Sequence, residues 1–187
     1  MRDALLHARA ALDQLLSDQA LVDRAAAMPA ILAGCLNKGG KILTCGNGGS
    51  ACDAAHFCEE LTGRFRKDRR PLAALACTEP GHLTCVANDF GFEHVFARWV
   101  AALARPGDAV ILLSTSGNSE NIVRAARAGR EAGATTVALL GGDGGRAKGL
   151  CDHDFIVPGQ GSDRVQELHM LILHAWVEGL ERSLGLA

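Results

Sequence analysis

The sequence predicts a doubly wound α/β fold: a parallel sheet covered by helices on both faces, with a helical extension at the N-terminus. Three observations carry this. Five short, continuously apolar segments recur along the chain: Ile42–Cys45, Leu72–Cys77, Ala109–Ser114, Thr136–Leu140 and Asp154–Val157. Helical stretches separate them, which is how strands buried on both faces of a parallel sheet read in sequence. Two of the segments end in small-residue turns that open into helices, at the strand ends where such sheets bind ligands.

In chain order, residues 2–36 are rich in Ala and Leu and predict two helices broken near Ser17-Asp18, stopped by Lys38-Gly39-Gly40. The first strand runs into Gly46-Asn47-Gly48-Gly49-Ser50 and a helix over 50–62. The basic run from Arg64 to Arg70 encloses Asp68 and has only Phe65 for stacking, so it predicts a solvated loop rather than a nucleic-acid patch. After the second strand, Asn88-Asp89 precedes Phe90-Gly91-Phe92 as a helix-capping turn or part of a site, and a helix follows over 93–104. The third strand ends in Ser114-Thr115-Ser116-Gly117-Asn118-Ser119 and a helix over 119–132. A short helix is predicted over 144–150, and a long one over 163–183 closes the chain. Residues 1–37 thus form N-terminal helices, and 38–187 form the α/β core of one domain.

Composition bounds the function. The chain has 187 residues, 48% apolar and 21% charged, which suits one globular core and excludes a disordered chain. A net charge of -2 gives no general attraction to nucleic acid or to an anionic membrane. The start, Met-Arg-Asp-Ala-Leu-Leu-His, lacks the pattern of a signal peptide, and no apolar run approaches a membrane span in length. Seven cysteines, odd in number and without a C-x-x-C pair, predict reduced thiols and a cytoplasmic location.

The two turns carry the first functional signal. A helix N-terminus offers unpaired N–H groups and a partial positive charge, so it binds phosphate without Lys or Arg. The hydroxyls of Ser114, Thr115, Ser116 and Ser119 add donors there. Ser116 or Asn118 alone could simply cap the helix; the hexapeptide as a whole favours phosphate. Gly46-x-Gly48-x-x-Ala51 also fits a dinucleotide fingerprint, with Glu79 as the ribose acid. Glu79 lies farther on than the usual spacing of about 20 residues, and that reading leaves the hydroxyl-rich turn unexplained. Candidate chemistry sits at His56 and Glu60, four apart on one helical face near Asp53, and in Asp163-Arg164-x-Gln166-Glu167-x-His169 followed by His174. Taken singly, the first is an ordinary surface pair, and His174, amid Leu171-Ile172-Leu173, an ordinary core histidine.

Together these segments resemble one family. "GNGGSACDAAHFCEELTGRF", "ANDFGFEHVF", "STSGNSENI", "GGDGG" and "DRVQELHMLILH" are similar, in order, to the motifs of the phosphoheptose isomerases of the sugar-isomerase (SIS) domain group. The resemblance implies a five-stranded parallel sheet with flavodoxin-like order and a cytoplasmic homotetramer without nucleic-acid or membrane partners. It implies conversion of sedoheptulose 7-phosphate to D-glycero-D-manno-heptose 7-phosphate, the first step toward nucleotide-activated heptose for surface glycans. Substrate contacts are implied at Asn47, Gly48, Gly49, Ser50, Glu60, Arg64, Asn88, Asp89, Ser114, Thr115, Ser116, Ser119, Asp163 and Gln166. Glu60 and His174 fall on the family's acid/base pair; His56, Glu60, Gln166 and His174 fall where members bind zinc, one ion per subunit. The chain departs from the family's S-H-C-D form at Ala51, outside those positions. A non-catalytic group of similar proteins associates with the bacterial replication initiator and lacks one or both acid/base residues; this chain has both.

A strand order of 2-1-3-4-5 leads to one geometric expectation. The helices after the first and last strands then lie three strand spacings apart, roughly 14 Å at about 4.8 Å each. Glu60 and His174 are therefore expected to meet between chains of a homo-oligomer, with Gln166 leaning in from the start of the last helix.

Overall fold

A computed structural model describes residues 1–187. The five strands form one parallel sheet in the order β2-β1-β3-β4-β5, with β1 Ile42–Gly46, β2 Ala74–Ala76, β3 Ala109–Ser114, β4 Thr135–Leu140 and β5 His153–Ile156. Every residue of β1 and β3 is buried, as continuous apolar runs require; β2, at the edge, is shorter than its apolar segment. The helices are α1 Arg2–Ser17, α2 Gln19–Asn37, α3 Gly49–Thr62, α4 Pro80–Phe90, α5 Val95–Leu103, α6 Glu120–Glu131 and α7 Ser162–Ser183. Asp18 makes the break between α1 and α2, its carboxylate accepting from Leu21 N–H at 2.9 Å as the cap of α2.

Alternate residues of the strands feed two cores. Ile42, Ile111, Leu113, Val137 and Leu139 pack with Met28 and Leu32 of α2, Phe57 and Leu61 of α3, and Leu173 and Trp176 of α7. Leu43, Val110, Leu112 and Leu140 pack on the other face with Phe96, Trp99 and Val100 of α5 and Ile122 and Val123 of α6. By length and composition α2 could cross a membrane, against the expectation that no apolar run approaches a span in length. Its Met28, Pro29 and Leu32 are buried, and it packs against α7.

Two local elements differ from expectation. Helix α4 stands where no helix is predicted, and it opens on Pro80-Gly81. Proline is favourable in a first helical turn, and Glu79 caps it by accepting from Gly81 N–H at 2.8 Å and His82 N–H at 2.6 Å. Those bonds lower the Glu79 pKa and occupy the carboxylate that the dinucleotide reading required for a ribose. The helix expected over 144–150 is only a single 3₁₀ turn at Gly145–Ala147, since Gly144 and Gly145 both take positive φ.

The core histidine of α7 is His169 rather than His174. His169 is fully buried, and neither ring nitrogen has a hydrogen-bond partner. Burial pushes its pKa down to about 4, opposed by the Leu140 backbone, which lies close but outside hydrogen-bond geometry. The folded protein therefore keeps this ring neutral, whereas the unfolded chain binds a proton below about pH 6.5. The stability that depends on the neutral ring is fully present above pH 6.5 and drains away as pH falls toward 4, to a limit of about 3 kcal/mol. Urea unfolding at pH 7 and pH 4.5 should show a smaller loss in His169→Leu than in the wild type; parallel losses would refute the assignment.

Candidate active site

The site begins where the chain reverses direction across the sheet. From β1 it passes outward to β2 on one side and to β3 on the other, so the loops after β1 and β3 lie side by side at the strands' carboxyl ends. A reciprocal amide pair joins them: Asn47 Nδ2 donates to Asn121 Oδ1 and Asn121 Nδ2 to Asn47 Oδ1, both at 2.9 Å. Asn121 went unnoticed in the sequence; its only local signal is an uncharged amide in the first turn of α6. A third loop joins at α7, where Thr115 Oγ1 donates to Ser162 Oγ at 3.2 Å.

The hydroxyls of the second loop divide their work. Ser114 is buried and accepts from Gly117 N–H at 3.1 Å, shaping the turn. Ser116 Oγ accepts from Asn118 N–H at 3.1 Å rather than capping α6, and Asn118 Oδ1 accepts from Arg146 N–H at 3.1 Å. Ser119 occupies the cap position of α6 with no side-chain capping bond, leaving its hydroxyl for a ligand. Gly117 is required twice over: its φ is +63°, and a Cβ there would lie 1.9 Å from the Gly144 carbonyl oxygen. Asn47, Ser119, Glu120 and Asn121 line a cleft of about 360 Å³ together with Phe92 and Glu93.

Helix α3 leads from this loop to the acid/base candidates. A Cβ on Gly49 would collide with the Gln166 amide at 2.5 Å, so α3 and α7 touch closely at that end. His56 and Glu60 follow Gly49 by seven and eleven residues, roughly 10 and 16 Å of helix rise. Glu60 is 7% exposed, and its Oε1 lies 3.4 Å from His56 Nε2 and 3.4 Å from His174 Nε2. His174 is not packed in the core; its side chain is 40% exposed. Burial raises the Glu60 pKa, the dominant effect, against the lowering pull of His174 and His56.

This contact overturns the expected 14 Å separation. That distance assumed each helix to lie over its own strand. Instead α7, 22 residues long, returns across the sheet and packs beside α3 and α2 on a shared face. One chain therefore brings Glu60 and His174 together.

The ligating atoms of His56, Glu60 and His174 lie within 4.8 Å of one another. Two imidazoles and a carboxylate form the donor set of an open metal site, and Glu60 Oε2 is a buried acceptor without a partner. The residues fit a bound metal ion. Gln166 lies at the Gly49 end of the helix pair. Asp163 is exposed and paired with Arg164 at 3.3 Å. Arg64 is exposed in the loop after α3, and Asn88 and Asp89 are exposed in the last turn of α4, where Asn88 donates to Asp89 at 2.7 Å. No hydrogen bond or ion pair links these last four residues to the loops or to the Glu60 pair. The solvated-loop reading of 64–70 fails at Arg69, whose side chain is buried and paired with Glu181 at 3.0 Å. A partner 112 residues away leaves no local signal in the sequence.

A doubly wound sheet with paired small-residue loops at its switch point fits an SIS domain, and the SIS domain model matches residues 6–141. A phosphoheptose isomerase from Fusobacterium nucleatum is 57% identical over 151 residues, 81% of this chain and 78% of that protein. One from Vibrio vulnificus is 45% identical over 185 residues, 98% of this chain and 97% of its own. The solved phosphoheptose isomerase from Neisseria gonorrhoeae, 38% identical, superimposes with a TM-score of 0.88 over 97% of this chain and 96% of that one. The chain belongs to the phosphoheptose isomerase family.

Proposed function

We infer that this chain isomerises sedoheptulose 7-phosphate to D-glycero-D-manno-heptose 7-phosphate, opening the route to nucleotide-activated heptose for surface glycans. The observation that carries this reading is the contact of a buried carboxylate with a partly exposed imidazole, Glu60 with His174, on α3, which starts at the first loop, and α7, whose first residue is bonded to the second.

The phosphate rests on the N–H groups of Gly48 and Gly49 and on the hydroxyls of Thr115, Ser116 and Ser119, with Ser114 and Asn47 holding the loops and Ser50 N–H donating to the Asn47 carbonyl at 3.1 Å. Glu60 takes the C1 proton; the electrons of that C–H bond form the C1–C2 double bond as the C2 oxygen gains a proton. His174 moves the proton between the two oxygens, and return of a proton to C2 leaves the aldose. A raised pKa keeps Glu60 a stronger base than an exposed carboxylate. His56, Glu60 and His174 would hold one zinc ion per subunit, with Gln166 a ligand only once its amide leaves Gly49. Such an ion supplies charge stabilisation for the developing enediolate. Arg64, Asn88, Asp89, Asp163 and Gln166 are proposed to contact the sugar. The protein is proposed to be a cytoplasmic homotetramer; its seven cysteines are all free thiols, in keeping with a reducing compartment.

Purified protein incubated with sedoheptulose 7-phosphate should form aldose, lose activity with a chelator and regain it with zinc. Folded, metal-replete protein that forms no aldose would refute the reading and return attention to the initiator-binding group.

The loop assignment has its own test. Ser119→Ala removes a hydroxyl that makes no capping bond, so the fold should be unaffected. Loss of one bond to a charged group, about 1.5–3 kcal/mol, should weaken binding of substrate and of inorganic phosphate about tenfold or more. Unchanged affinity for both in Ser116→Ala/Ser119→Ala would refute phosphate binding at this loop.

A further inference from the structure

Arg69 belongs to an otherwise exposed basic loop, yet its side chain is only 2% exposed. Burying a guanidinium is unfavourable unless its N–H groups and its charge are both matched. Here they are. Nε donates to Glu181 Oε1 at 3.0 Å, Nη1 to the Leu61 carbonyl at 2.8 Å, and Nη2 to the Glu60 carbonyl at 2.5 Å. Weaker bonds from Nη1 reach the carbonyls of Gly63 at 3.3 Å and Arg70 at 3.2 Å.

The acceptors are informative. A helix leaves its last carbonyls without partners, and its C-terminal end favours a cation. At the end of α3, Gly63 N–H bonds the Glu59 carbonyl and Leu72 N–H bonds that of Leu61, while Arg69 serves that of Glu60. Glu181 stands two turns beyond His174 on α7, so one planar fork joins the backbone of residue 60 to the helix carrying its acid/base partner. The same loop lays Phe65 on the His174 ring, with centroids 5.9 Å apart and planes 25° from parallel.

We propose that Arg69 is a positioning residue, fixing Glu60 against His174 by clamping the end of α3 to Glu181 of α7; this deepens the isomerase reading and rests on it. Arg69 touches no reacting atom and acts through the Glu60 backbone. The phosphate-type loops lie at the opposite end of α3, so the clamp should govern turnover and leave phosphate binding alone.

Arg69→Lys keeps the charge and loses the fork. In the full-length, zinc-loaded protein we expect kcat per folded molecule to fall about tenfold to a hundredfold, since small misplacements of reacting groups have effects of that order. KM and the dissociation constant for inorganic phosphate should stay within twofold, and Arg69→Met should be slower than Arg69→Lys. A purely structural role would instead leave kcat per folded molecule unchanged or degrade kcat, KM and phosphate affinity together; either result overturns the proposal. Should Arg69→Lys fail to fold, Glu181→Gln loosens the same clamp with Arg69 in place and should lower kcat alone; an unchanged kcat there is equally fatal. Wild-type protein inactive on sedoheptulose 7-phosphate would refute the isomerase reading itself, a result distinct from either.

Discussion

Glu60→Gln is expected to reduce turnover by about 10²-fold or more and to leave the fold intact. Glutamine keeps the shape of the side chain and cannot take a proton from carbon. The structure gives a reason to expect no loss of stability. Glu60 is buried, its Oε2 has no hydrogen-bond partner, and burial is the largest influence on its pKa. Removing the charge removes a desolvation cost, so the melting temperature should hold or rise. The same change deletes a metal donor, so metal content has to be measured beside kcat. Two outcomes separate the roles: slow turnover with metal retained marks Glu60 as the base, whereas slow turnover with metal lost, restored by excess zinc, marks it chiefly as a ligand. Near-normal turnover without either would remove Glu60 from the mechanism.

What the sequence made legible, and what it hid, follows from the range of the interactions. The strands were readable because β1 and β3 are buried on both faces and therefore continuously apolar. The turns after them were readable because runs of small residues between an apolar strand and a helix suit a tight turn, and α3 and α6 do start there. Helix α4 was hidden behind Pro80-Gly81, a pair that suits a turn as well as a capped first helical turn; the deciding contact is the carboxylate of Glu79. The roles of His169 and His174, five residues apart on one helix, could not be told apart by pattern. Packing makes His169 the buried ring and leaves His174 at the site. Asn121 and Arg69 were invisible for a stronger reason. Their partners, Asn47 and Glu181, are distant in the chain, and only the return of α7 across the sheet and the adjacency of β1 and β3 bring them together.

His174→Ala should be nearly as damaging as Glu60→Gln, since it removes the group that moves protons between the sugar oxygens along with one of two imidazoles in the candidate metal set. Its informative use is in combination. Sheet geometry alone placed the helices of Glu60 and His174 roughly 14 Å apart at about 4.8 Å per strand, which would make the site a joint product of two chains. The structure puts Glu60 Oε1 and His174 Nε2 at 3.4 Å within one chain. The two arrangements make opposite predictions when Glu60→Gln and His174→Ala are co-expressed and mixed oligomers are purified. With the pair inside one chain, every site lacks either the carboxylate or the imidazole, and the mixture stays as inactive as its parents. With the pair shared between chains, some sites would recover both groups, and activity would return to a sizeable fraction of the wild type. We expect no recovery. Reappearance of activity in oligomers shown to contain both variants would mean that the contact in the isolated chain is not the one that turns over substrate.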